Sequence, residues 1–135
     1  MRYRHLRHRY TIVVGSGAGW LAGAVWSAAT WRLPAPPRWQ PDADLYETAE
    51  AIEVVVDLAG VGDEDVEVEL FEDALVVEGR RELPACREGA VYHTAGIRQG
   101  PFRVALPLPG PVDPRGVEAR FERGLLRVTL PKRGA

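Results

Sequence analysis

What most limits the folds open to this chain is a series of short stretches in which apolar residues return at every second position. Val66-Glu67-Val68-Glu69-Leu70 alternates strictly. A strand built from it buries one face and presents acids on the other. Ile52-Glu53-Val54-Val55-Val56-Asp57-Leu58 is rich in β-branched residues and strand-like. Residues 74–79, 101–106, 117–121 and 125–130 read the same way, with a shorter candidate at 45–48. Turn signals separate them, including Gly60-Val61-Gly62-Asp63, Glu72-Asp73 and Glu122-Arg123-Gly124. The last predicts a tight hairpin whose glycine can take a positive φ. About seven or eight short strands spaced in this way predict an all-β chain, an antiparallel, immunoglobulin-like β-sandwich with no helix longer than about two turns.

The segment ahead of these strands has a different character. Residues 1–41 hold six arginines and no acid, whereas residues 42–135 hold all 19 acids against 11 Lys and Arg. A basic arm of charge +6 therefore precedes a body of charge −8. The predicted division is an arm at 1–41, a sandwich domain at 42–132 and a short tail at 133–135. All four tryptophans, Trp20, Trp26, Trp31 and Trp39, fall in the arm, where no alternating partner is available to them. Four arginines in a short tip are too few to indicate nucleic acid as a partner.

Within the arm, Thr11 to Gly23 reads TIVVGSGAGWLAG, which looks like the opening of a dinucleotide-binding fold. That fold needs strand, G-x-G-x-x-G, helix and a second strand. Counting from Gly15 puts Trp20 where the third glycine belongs, while Gly17, Gly19 and Ala22 form a permitted variant. The second strand is then missing, because Leu33-Pro34-Ala35-Pro36-Pro37 stands in its place and proline supplies no ladder donor. A membrane span over residues 10–31 is long enough, but Gly, Ala, Ser and Thr fill more than half of it. A signal peptide ending near Ser27-Ala28-Ala29 is a third reading. The expected character is an adaptable apolar arm, flexible and without a fixed fold, with no membrane partner.

No catalytic pattern emerges. Cys86 is the lone cysteine, so a disulfide within the chain is excluded and a reducing, cytoplasmic setting follows more easily. It sits in Pro84-Ala85-Cys86-Arg87-Glu88, a loop setting without a patterned base. His5 and His8 share the arginine-rich tip, and His93 has no second ligand at metal-binding spacing. The acids alternate with valine as a solvated sheet face and form no marked acid–base pair. Neither G-x-S-x-G nor a phosphate loop occurs. The expectation is a non-enzymatic protein with no catalytic residue, cofactor or metal.

One block is more specific. Ala119-Arg120-Phe121-Glu122-Arg123-Gly124-Leu125-Leu126-Arg127-Val128-Thr129-Leu130-Pro131-Lys132 resembles the signature of the small heat-shock proteins, the alpha-crystallin domain family. Its marks here are Ala119, Gly124 and Leu126. Asp57-Leu58-Ala59-Gly60-Val61 followed by Val66 and Val68, then residues 75–81, then Gly100-x-Phe102, are similar to other family segments in the same order. The likeness covers roughly residues 42–132.

The resemblance implies an ATP-independent chaperone, a holdase that binds partly unfolded client proteins and prevents their aggregation. It implies a homodimer made by strand exchange through Ala90, Val91, Tyr92 and His93, and larger oligomers built through the arm. It also implies a groove bordered by Val66, Val68 and Leu70 on one strand and Val117, Ala119 and Phe121 on another, which in the family holds an Ile-x-Ile tail. No such motif lies between Leu130 and Ala135, so the groove is expected to be open to clients or to the arm. Client contact is assigned to Trp20, Leu21, Val25, Trp26 and Trp31. The alternative is an adaptor module that binds one partner, or a version anchored through residues 10–31.

Overall fold

The computed structural model describes residues 38–134, together with the backbone of Arg2–Leu6, His8–Arg9, Thr11–Val13 and Ala24–Val25. Those four short strands are β1 to β4. The sequence assigns no element to this region. Trp20, Leu21, Trp26 and Trp31 lie outside the described residues, as does most of the candidate span or signal at 10–31. Val25 is described as backbone within β4. Among the described residues no helix is long and apolar enough to cross a membrane.

Seven further strands build the body: β5 (Ala43–Glu47), β6 (Ala51–Asp57), β7 (Val66–Phe71), β8 (Ala74–Arg81), β9 (Gly100–Pro107), β10 (Glu118–Glu122) and β11 (Leu125–Pro131). Only two single 3-10 turns interrupt them, at Asp63–Asp65 and Pro114–Gly116. One sheet runs β3-β1-β7-β8-β9 and a second β10-β11-β6-β5, while β2 pairs with β4 apart from both. Within the body every strand-to-strand ladder is antiparallel. The added strand β1 pairs parallel with β7.

The core lies between the sheets, and the alternation decides who enters it. Val66, Val68 and Leu70 point inward opposite Gly79, Val77 and Leu75. Ile52, Val54 and Val56 on β6 meet Leu130, Val128 and Leu126 of β11 by register. Phe102 and Val104 of β9 complete the layer. Burial of each such side chain stabilises the fold by about 1.5–3 kcal/mol relative to exposure. Gly79 is required by contact: a Cβ there would run into the backbone carbonyl of Asp65 and stand 2.8 Å from Phe102 Cζ.

Candidate functional site

The β10–β11 hairpin carries the signature residues and shows what they do. Ala119 faces Val128 and Phe121 faces Leu126 in register. The turn puts Arg123 at φ 53° and Gly124 at φ 79°. Two successive positive values make a turn whose twist matches that of the strands it joins. A Cβ on Gly124 would also stand 2.9 Å from Ala59 Cα, and the Gly124 carbonyl accepts a hydrogen bond from Leu58 N at 2.7 Å. Gly124 therefore ties the hairpin to the end of β6. Leu126 is fully buried.

The six residues expected to border a groove come together in the core. Val66, Val68, Leu70, Val117 and Ala119 are all buried there, and Phe121 is half-buried against them. Val117 lies one residue before β10, so the strand starts one residue later than the sequence suggests. These side chains line the inside of the sandwich and present little surface. What β7 offers to its surroundings is its backbone edge, and that edge is occupied by β1. β10 is the terminal strand of its own sheet.

Tryptophan 39 departs from the sequence reading, which groups it with the arm. It forms an isolated parallel bridge with Phe102 at the outer edge of β9. Its N–H donates to the Pro101 carbonyl, its carbonyl accepts from Arg103 N at 3.0 Å, and its indole Nε1–H donates to the Gly100 carbonyl at 3.0 Å. The ring packs 5.3 Å from Phe102, and the Arg81 guanidinium lies 4.4 Å above it. Beside it, Arg38 holds Glu78 at 2.6 Å. The sandwich thus begins to pack at residue 38, ahead of the boundary that composition suggests. Nothing in Arg38-Trp39-Gln40-Pro41 alternates, so periodicity has no means of finding this contact. Placing a tryptophan between a proline run and the first strand is the only signal.

Residues 82–99 form an exposed connection between β8 and β9. The strand expected over Ala90, Val91, Tyr92 and His93 is not formed within the chain: these residues lie in the loop and pair with no strand among the described residues. Val91 is 76% exposed, Tyr92 62% and Ile97 67%. The base of the loop is fixed by Arg81, whose guanidinium donates twice to the Arg98 carbonyl, at 2.9 and 2.6 Å. Cys86 Sγ lies 2.6 Å from the Tyr92 hydroxyl. That hydrogen bond, and then the charge of the neighbouring sulfur, raise the Tyr92 phenol above its ordinary pKa of 10.0.

Among the described residues no group of three or more His, Cys, Asp or Glu is placed to hold a metal ion. The outer face of the β10-β11-β6-β5 sheet is a shallow concavity lined by Glu53, Glu118, Arg120, Arg127 and Thr129. Its one close internal contact is Thr129 Oγ1 to Glu53 at 2.8 Å.

Two sheets closed by a Gly-x-Leu hairpin, with a long exposed loop between β8 and β9, define an alpha-crystallin-type sandwich. The sequence profile of the Hsp20/alpha crystallin family matches residues 44–135, and the chain belongs to that family. It is 38% identical over 98 residues to spore protein SP21 of Stigmatella aurantiaca, covering 73% of this chain and 58% of that protein. It is 28% identical over 93 residues to small heat shock protein C2 of Rickettsia felis, covering 69% and 60%. The chain thus spans about three-fifths of the length of these relatives. Among solved structures, heat shock protein 16.0 of Schizosaccharomyces pombe superposes with a TM-score of 0.65 at 32% identity, covering 71% of this chain and 89% of that one. The hspA protein of Xanthomonas axonopodis gives a TM-score of 0.65 at 27% identity, covering 73% and 99%.

Proposed function

We propose that this protein is an ATP-independent holdase that captures partly unfolded proteins and keeps them from aggregating. The observation that carries the reading is the β7 edge, which holds an extended segment, β1, by main-chain pairing over five residues. Such pairing is blind to side-chain identity, and unfolding proteins expose strands and apolar surface of many sequences. The fold supplies a rigid sandwich, and the reading requires no catalytic group or cofactor. The arm, with Trp20, Leu21, Val25, Trp26 and Trp31, is the proposed apolar client contact. Membership of a small heat-shock family supports the same role.

The working unit is proposed to be a homodimer in which residues 90–93 pair with a neighbouring subunit. The exposed Val91 and Tyr92, on a loop without an internal ladder, support this. Assembly beyond the dimer is proposed to run through the arm. A similar small heat-shock protein from Xylella fastidiosa, at a TM-score of 0.64 and 27% identity, is described as having a distinct high order structure. Light scattering from a heat-destabilised enzyme, without ATP, tests the proposal. Suppression at near-stoichiometric ratio is expected; unchanged aggregation overturns it in favour of the single-partner adaptor.

A further inference from the structure

Three separate parts of the chain meet at Arg81. It ends β8 on the row that begins with Leu75 and Val77, so its side chain leaves from the core side of the sheet. Nε and Nη2 donate to the Arg98 carbonyl, on the returning limb of the 82–99 loop. Nη1 donates to the Ala59 carbonyl, in the turn after β6, at 3.2 Å. The Trp39 ring, from the segment that leads out of the arm, covers the guanidinium at 4.4 Å. Trp39, Asp42, Asp57, Arg81 and Ile97 line the cleft where these parts adjoin.

The guanidinium is held by two backbone carbonyls, although the carboxylates of Asp42 and Asp57 line the same cleft. A carbonyl carries only partial charge, so water competes well for such a cation unless something shields it. The indole shields it. A guanidinium suits the place, being planar and weakly hydrated, and it stacks on a ring while its edge goes on donating. The Ala59 end is rigid: Leu58 N donates to the Gly124 carbonyl at 2.7 Å, and Gly124 packs against Ala59. The loop is therefore the partner free to move. We propose that Arg81 is a positioning residue for the 82–99 loop, and that Trp39 controls it. With the indole in place, Arg81 pins the loop's return to the β6–β7 turn and sets the direction in which residues 90–93 leave the sandwich. With the indole withdrawn, water takes the carbonyls and the loop root comes free. Arm and dimer loop are thereby linked. A pull on the arm that lifts Trp39 weakens pairing through residues 90–93, because a loop ordered in advance loses less entropy on pairing. This last step rests on the proposed homodimer; the hold of Arg81 on the loop does not.

Mobility of the loop root is read by electron paramagnetic resonance from a nitroxide at Ala95→Cys. The background is the full chain with Cys86→Ser and Val91→Pro, so the reading needs no dimer. Arg81→Met keeps the apolar stem and removes every donor, and Trp39→Ala uncovers the guanidinium. Each is expected to free the label, and the two together to free it no further than either alone, since both break one unit. Additive effects, or a label unmoved by either change, overturn the proposal. Trp39→Phe removes the indole bond to Gly100 but keeps a ring for Arg81, and the label is expected to stay slow. A label freed as fully as by Trp39→Ala overturns the proposal, since the link would then run through Gly100. Arg81→Lys is expected to free the label, because an ammonium cannot form the fork; full rescue by lysine overturns the assignment. Hydrogen-exchange protection of residues 125–131 is the standard of folding, and should Arg81→Met fail it, Arg81→Lys carries the test. With residue 91 left as valine, Arg81→Met is expected to raise the dimer dissociation constant by about tenfold, the scale of one hydrogen bond from a charged donor. An unchanged constant beside a freed label overturns the link between arm and dimer. Failure of the dimer reading shows differently, as a wild-type sedimentation coefficient that Val91→Pro leaves unchanged.

Discussion

The β10–β11 hairpin and the 82–99 loop are similar stretches in one respect: both carry apolar side chains with strand-forming character. They end differently. Leu126, Val128 and Leu130 are fully buried, because β6 lies beside β11 in the same chain. Val91, Tyr92 and Ile97 stand in solvent, on a loop that pairs with no strand among the described residues. Strand propensity makes a strand only where a backbone edge is available to complete the hydrogen bonds. The hairpin holds its partner within the chain, and the loop is proposed to find its own in a second copy.

The largest expected effect falls on the hairpin. Leu126→Ala removes a fully buried side chain from between the sheets, and its expected cost is about 3–4 kcal/mol, read from urea unfolding. Gly124→Ala is smaller. Alanine must take a φ near 79° and its Cβ must push on Ala59, so a loss of about 2–3 kcal/mol is expected. A change within about 0.5 kcal/mol in either variant would break the claim that this turn is fixed by its neighbours.

Trp39 sharpens the border between arm and sandwich. Trp39→Ala is expected to lower stability by about 2 kcal/mol, since the half-buried ring contacts Phe102 and Arg81 and its indole N–H is bonded. Deleting residues 1–37 should therefore leave the melting cooperative and lower it less than deleting 1–41 does. Equal melting of the two truncations would return Trp39 to the arm.

How far the sequence foretells this molecule follows from the same contrast. Strands β6, β7, β8, β9 and β11 fall within about two residues of the alternating stretches at either end, because a buried face imposes period two on one strand at a time. The hairpin turn is legible because glycine after arginine is a local signal. Three things are not. Trp39 makes its contacts from a stretch without periodicity. The pairing of β1 with β7 joins residues more than sixty positions apart, and only the register shows that the arginines match the glutamates. The expected groove border is the third: Val66, Val68 and Leu70 are core by burial, and alternation names the buried face without saying what the edge beside it does.

On the loop side, effects on stability shrink while effects on assembly grow. Val91→Pro deletes a backbone donor from a residue that is 76% exposed, so unfolding of the sandwich should move by less than about 0.5 kcal/mol. Sedimentation should nevertheless shift from dimer to monomer. A variant that keeps the wild-type sedimentation coefficient removes residues 90–93 from the interface.

The smallest expected effect reports on the same loop without touching its backbone. Tyr92 titrates above its ordinary value because Cys86 hydrogen-bonds its hydroxyl and because a charged sulfur beside it disfavours a second negative charge. Both causes act against the phenolate, so at a given alkaline pH less Tyr92 is ionised than in a free phenol. Cys86→Ala removes both and should lower the Tyr92 titration toward 10.0, seen in the ring resonances of that residue by NMR. The contact belongs to the loop as it lies in a single chain. A strand formed from residues 90–93 against a second copy is expected to extend the backbone at Tyr92 and draw its side chain away from Cys86. The upward shift should then be present in dilute or Val91→Pro protein and fade as the dimer forms. A Tyr92 titration that ignores both protein concentration and the Val91→Pro change would mean the loop keeps its single-chain shape on assembly, and the hairpin and the loop would then differ in exposure alone.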